Sequence, residues 1–455
     1  MKIHKSFPKY SDFDPLVPVW CITPDVSGCM HRFFDSSPIS PSGRYVAVFQ
    51  LPFEDRQPLP GEAGNVRLID LETGENHVVA ESRGWEPQLG ANINWGATDN
   101  ELFFNDVDTD TWQPFAWKLD PLLGTKVRLE GTVYHVSPDG KWLISANLPL
   151  LRKTQNGYGV MVPKESMRRN VGLVDDDGFY LTDTTTGKRR LLVSLRQLMT
   201  EADPPIQREE IEHCELYGAH CKFNPQGTRI MLSLRWFSER GADVWNMAEQ
   251  DYRALRFAWV TIPTEGGQIH CAAGPELFIK GGHHASWFPD GERISMNLKL
   301  DGKAMRFVSV RYDGSDLREI VCDVRGSGHP TVHPSGRILT DTYLAQWDYP
   351  QYGDGTVPLR WVDIRTGHES VAVRIHTEQP CEDVALRVDP HPTWDRSWRY
   401  VAFNGFTGGT RRVFIADMAS LLQKDLFPAR RKRRPGMLSR VSRRMRKFVN
   451  SNYKV

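Results

Sequence analysis

A short turn followed by an alternating strand recurs seven times in this chain, and no other feature restricts its fold as strongly. The turn is usually Pro-x-Gly. It reads "SPSGRYVAVF" from Ser40 to Phe49, "SPDGKWLISAN" from Ser137 to Asn147 and "NPQGTRIMLSL" from Asn224 to Leu234. It recurs as "FPDGERISMN" (Phe288 to Asn297) and "HPSGRILTDTY" (His333 to Tyr343). Two degenerate copies, "GATDNELFFND" (Gly96 to Asp106) and "WDRSWRYVAFN" (Trp394 to Asn404), complete the set. Between the copies lies a second signature, a strand ending in Asp-x-x-Thr-Gly and then another strand, as in "VRLIDLETGENHVVA", "FYLTDTTTGKRRLLV" and "LRWVDIRTGHESVAV". Thr-Gly supplies the positive φ that such a hairpin needs. Turn-strand plus hairpin makes about four strands, and seven such units predict an all-β, seven-bladed β-propeller, which limits free edges by radial closure.

Composition agrees with a turn-rich β fold: the 455 residues include 37 glycines and 30 prolines, and 40% are hydrophobic. The repeats place the propeller at residues 29–425, with 1–28 an N-terminal segment closing onto it. An insertion, "LPLLRKTQNGYGVMVPKESMRRN", widens the gap between Gly140 and Pro225. Residues 426–455 form a basic C-terminal extension. From Arg430 to Lys454 it carries 11 Lys or Arg and no acid, leaving 46 basic against 56 acidic residues elsewhere. The tail reads as a disordered arm or an amphipathic helix, with Leu438, Val441, Met445, Phe448 and Val449 spaced for an anionic membrane surface. Nucleic acid is a poorer partner, because the acidic body repels it. The absence of a long apolar run or an apolar signal core, with seven cysteines in no close pairs, gives the expectation of a cytoplasmic protein, peripheral to a membrane at most.

Histidines share a register with the repeats. His220 lies five residues before Pro225, His284 five before Pro289, and His329 five before Pro334. His391 lies five before Arg396, which fills the proline position of the last copy. The strand entering this turn is the innermost of a blade, so rotation about the axis predicts that the four imidazoles converge on one end of the central channel. His283, one residue from His284, is expected on the opposite face of an extended strand, in a structural role. Imidazoles with a carboxylate suit Mn²⁺, Zn²⁺ or Fe²⁺ better than Mg²⁺ or Ca²⁺. Asp389, two residues before His391, shares its face of an extended segment, and with His329 these make three candidate metal ligands.

From roughly Cys29 to Met418 the chain resembles the oligogalacturonate lyases, a family of seven-bladed propellers. The likeness rests on "CMHRFFDSSPISPSGRYVAVF", "GAHCKFNPQG", "GGHHASWFPDG", "GSGHPTVHPSG" and "VDPHPTWD". It implies Mn²⁺ held by three histidines and a glutamine, with β-elimination on a 4-linked hexuronate, so an acidic oligosaccharide as substrate. Carried over, His329 and His391 fall on ligand positions, Asp389 replaces a third histidine, and Leu386, which cannot ligate, stands at the glutamine position. The family's arginine falls at Arg256, or at its neighbour Arg253, and His31, Arg32 and His220 fall among substrate-binding groups. On physical grounds neutral His284 is the better base, with Arg256 stabilising the enolate.

No Gly-x-Ser-x-Gly elbow, phosphate loop or dinucleotide fingerprint is present. Two function classes follow: a metal-assisted lyase on uronate-containing saccharides, or a non-catalytic propeller binding a saccharide or protein partner, held at a membrane by its tail. The lyase is the first reading and the binding propeller the alternative, to which the replacements at Leu386 and Asp389 lend weight.

Overall fold

Each full Pro-x-Gly turn closes on itself through its glycine. The N–H groups of Gly43, Gly140, Gly227, Gly291 and Gly336 donate to carbonyls three residues earlier at 2.8–2.9 Å. All five glycines have φ between 69° and 80°, a region costly for a residue with a Cβ. In the hairpin turns the aspartate does the corresponding work. Asp183 Oδ1 accepts from the Thr185 and Thr186 N–H groups, and Asp363 Oδ1 from those of Arg365 and Thr366.

These turns join strands into seven four-stranded sheets, every neighbouring pair antiparallel. The computed structural model describes residues 1–206, 211–237, 255–344 and 351–423. Numbered in chain order, the innermost strands of the blades are Cys29–Met30, Asn94–Trp95, His135–Val136, Leu216–Phe223, Gly282–Trp287, Thr331–His333 and Thr393–Trp394. Blade seven takes its edge strand from the N-terminal segment: Val19–Cys21 pairs with Thr410–Asp417, Val19 opposite Ala416. The ring is thus closed by hydrogen bonds between residues distant in sequence. Both faces of a blade meet a neighbour, which is why the second strand of blade one, Tyr45–Gln50, buries all four of its central residues.

The innermost strands surround an axial channel. At the turn end it widens to a cavity of about 380 Å³ to which every blade contributes, from Ser36 in blade one to Trp394 in blade seven. Towards the other end, blade one sends His31 to Asp35 into the axis, where Phe33 and Phe34, each 1% exposed, plug it. Beyond that plug lies the insertion, whose 3-10 turn Leu148–Lys153 is largely buried. No helix among the described residues is long and apolar enough to cross a membrane. The basic tail at 426–455, with its expected membrane contact, lies outside the described residues.

Candidate functional site

The four register-matched histidines meet around one phenyl ring. Phe33 lies 5.6 Å from His220, 6.1 Å from His284, 5.6 Å from His329 and 4.7 Å from His391 between ring centroids. His284 and His329 are 4.0 Å apart, His329 and His391 4.4 Å. Rotational symmetry brings the positions together, and broken strand pairing aims the rings. In blade four the register shifts between Gly218 and Cys221, in blade five between His283 and Ser286, so His220 and His284 both occupy bulges. His284 and His391 have φ of 57° and 48°, a conformation costing about 1–3 kcal/mol per residue that only an over-determined site sustains.

The bulge overturns the expectation for His283. Its ring is not on the opposite face: it lies 4.5 Å from that of His284, with the two Nδ1 atoms 2.7 Å apart. Strict alternation ends where the extra residue enters.

Hydrogen bonds assign the protons. The Gly328 carbonyl, which can only accept, lies 2.9 Å from His284 Nδ1 and fixes the proton there. Nε2 of His284 therefore carries the lone pair. The Tyr343 hydroxyl sits 2.8 Å from Nδ1 and 3.4 Å from Nε2. Burial, then the neighbouring imidazoles of His329 and His283, hold His284 well below the ordinary histidine range, so it is neutral at pH 7. Burial likewise lifts the Tyr343 hydroxyl well above its usual range and keeps it protonated.

His329 is oriented by a residue that repeat register does not reveal. Asp341 accepts from His329 Nδ1 at 2.9 and 3.0 Å, from the His329 N–H at 2.8 Å and from the His391 N–H at 3.2 Å. A carboxylate on Nδ1 leaves Nε2 as the ligating atom, the arrangement that metal-binding histidines adopt. His329, Asp389 and His391 each offer one ligand atom, all within 4.8 Å of one another, and all three are buried. Neither ring nitrogen of His391 makes a hydrogen bond of normal geometry, although the Arg32 carbonyl faces the ring. Two imidazoles and a carboxylate, one imidazole orphaned, fit Mn²⁺, Zn²⁺ or Fe²⁺. Arg387 Nε donates to Asp389 Oδ2 at 2.9 Å, leaving the second oxygen available. Leu386 is buried in a 3-10 turn, Val384–Leu386, and its carbonyl accepts from Arg411. It completes no coordination sphere.

The remaining expected residues fall in distinct places. His31 is buried beside His391 and His329. Its Nε2 is 3.4 Å from the Pro390 carbonyl, and burial pushes it down to about 3. Arg32 donates to Asp35 at 2.8 Å and to Asn92 at 3.3 Å, with Nη2 buried and without a hydrogen-bond partner among the described residues. Asp35 also pairs with Lys222 at 3.0 Å, all three side chains under 5% exposed. Burial would raise the Asp35 carboxyl, but Lys222 and Arg32 overcome it and hold it well below the usual carboxylate range. Arg32 is therefore a strut of the plug, facing an internal carboxylate. Arg256 pairs with Trp236, whereas Arg235 pairs with Phe257. Opposed residues share a sheet face, so the two arginines point to opposite faces, and Arg235 is the one that reaches the histidine end, donating to Gln155 at 2.8 Å. Arg253 lies outside the described residues.

No protein-family model and no curated protein matches the chain. Among solved structures it is similar to an oligogalacturonate lyase in complex with manganese, at 15% identity and a TM-score of 0.58, over 92% of this chain and 98% of that one. It is equally similar to an oligogalacturonate lyase from Vibrio parahaemolyticus, at 14% identity and a TM-score of 0.59, over 92% and 97% of the two chains. The β-propeller domain of the Trilobed protease from Pyrococcus furiosus also matches, at 12% identity and a TM-score of 0.46, over 85% and 96%. At such identities the likeness is one of fold: the chain is a seven-bladed β-propeller similar to oligogalacturonate lyases over nearly its whole length.

Proposed function

We propose that the protein is a carbon–oxygen lyase that cleaves 4-linked hexuronate saccharides by β-elimination at the histidine cluster. The observation that carries this reading is the pairing of a neutral, tautomer-fixed imidazole, His284, with the buried group of His329, Asp389 and His391, 4.0 Å from His284 at the His329 ring. A divalent ion held by His329, Asp389 and His391, Mn²⁺ before others, would supply Lewis-acid neutralisation of the uronate carboxylate and so acidify the C5 proton. His284 Nε2 takes that proton, the electron pair forms the C4–C5 double bond, and the C4–O4 bond breaks. The protonated Tyr343 hydroxyl gives its proton to the departing O4 and regains one from His284, so the protein ends as it began. His31 and His220 contact the sugar. The arginine role expected of Arg256 passes to Arg387, which lies against Asp389.

The enclosure of the cluster supports a second reading. His329 and His391 are 1% exposed, and Asp389 already has an ionic partner in Arg387. A propeller that binds saccharide or protein without catalysis needs no more. Incubation with trigalacturonate and Mn²⁺ separates the two: the lyase gives the ultraviolet absorbance of a 4,5-unsaturated uronate, and the binding propeller gives none.

A further inference from the structure

The strap at residues 148–162 crosses the histidine end of the channel. Its ends are anchored by buried Leu148, Leu151, Val160 and Val162. Its middle is tethered at several points. The Gln88 N–H donates to the Gly157 carbonyl at 3.1 Å, Arg387 Nη1 to the Asn156 carbonyl at 3.3 Å, and the Gly159 N–H to Glu86. Gly157, at φ 84°, lies so close to the 384–386 turn that a Cβ there would stand 2.4 Å from the Ala385 carbonyl.

One strap side chain enters the cluster. Gln155 Oε1 accepts from His220 Nε2 at 2.9 Å and from Arg235 Nη1 at 2.8 Å. The Tyr134 hydroxyl, kept protonated by burial, donates to His220 Nδ1, which places the imidazole proton on Nε2. A neutral N–H and a guanidinium thus converge on a single amide oxygen. A carboxylate is the stronger acceptor for such donors, since charge-assisted hydrogen bonds are roughly twice as strong as neutral ones.

We infer that His220 and Arg235 form the carboxylate-binding pair for a uronate unit of the substrate, and that Gln155 occupies the pair until substrate arrives. The inference rests on the lyase reading, which supplies the carboxylate. Substrate and strap compete for the same two donors, so saccharide binding and strap opening are one event. The apparent affinity is lowered by the fraction of molecules in which Gln155 is seated.

Calorimetric titration of the full chain with methyl galacturonoside, which has no saccharide to lose from O4, tests this, with methyl galactoside as the control lacking the carboxylate. Gln155→Ala should bind the galacturonoside about tenfold more tightly, and the galactoside no differently. Gln155→Glu seats a permanent carboxylate in the pair and should bind more weakly than the parent. Arg235→Gln should lose about tenfold, and Arg235→Lys, which keeps the charge but not the fork, less. Galacturonoside binding by Gln155→Ala and Arg235→Gln equal to the parent would overturn the inference and leave the lyase reading standing. Binding by none of the proteins would remove both.

Discussion

Replacing Asp341 by asparagine exchanges one carboxylate oxygen for an amide nitrogen at the point where two ligand-bearing segments are tied together. The carboxylate accepts from the His329 ring and N–H and from the His391 N–H, on adjacent blades. Asparagine keeps the volume and one acceptor, but its NH₂ must face one of three donors. The loss is one charge-assisted hydrogen bond, about 1.5–3 kcal/mol. If that energy orients His329 for a metal ion, it converts to about 10- to 100-fold in metal affinity, the range seen when a carboxylate behind a ligating histidine is removed. Alanine would be less informative, because it strands all three donors and destabilises the fold at large. The assay is competition for Mn²⁺ or Zn²⁺ between a chromophoric chelator and the protein, with thermal unfolding of the metal-free form alongside. The expected result for Asp341→Asn is metal affinity lower by one to two orders of magnitude, the metal-free melting point moving by only a few degrees. Unchanged metal affinity would mean that Asp341 does not orient a ligand and is only a structural tie.

His284→Ala should lower kcat by about 10²-fold or more with KM little changed, and retained turnover would move the base elsewhere. Asp35→Asn leaves Arg32 and Lys222 buried without their anion, so urea unfolding should report a loss of about 3–5 kcal/mol; a loss under about 1 kcal/mol would mean the plug relaxes. The folded protein should also lose stability as pH falls. Burial holds His31 at about 3 and His135 at about 4, while unfolded histidine takes up its proton near 6.5. The unfolded state thus binds more protons below that pH, and each of the two imidazoles removes about 2 kcal/mol between pH 6.5 and pH 5. A melting temperature flat across this window would contradict their burial as neutral groups.

The architecture was legible because its signals are local. A glycine at positive φ after Pro-x announces the turn at five places, and with the two degenerate copies the seven units leave few alternatives to a ring. Symmetry then carried the histidines: equal offsets from equivalent turns became equal positions around Phe33. What the sequence does not mark depends on breaks in regularity or on contacts between distant segments. The bulge in blade five reversed the expectation for His283. Asp341 and Tyr343 lie just past the strand Arg337–Thr340, in "TDTY", where no spacing marks them. That Arg235 and not Arg256 reaches the histidine end turns on which face of one sheet each occupies, which pairing decides and composition does not. Phe33 carried a faint signal, since ten residues separate His31 from Pro41 where five is the rule. Gln155 carried none, coming from an insertion outside the repeats.

Whether the histidine cluster performs elimination can be read from one experiment. The full chain, loaded with Mn²⁺, is incubated with trigalacturonate while the absorbance of the 4,5-unsaturated uronate is followed, beside a chelated sample and His329→Ala. Steady formation of unsaturated product by the loaded protein is expected, lost in both controls along with the bound metal. Trigalacturonate that binds but yields no unsaturated product, with metal demonstrably in place, would rule out elimination at the cluster and leave a binding propeller.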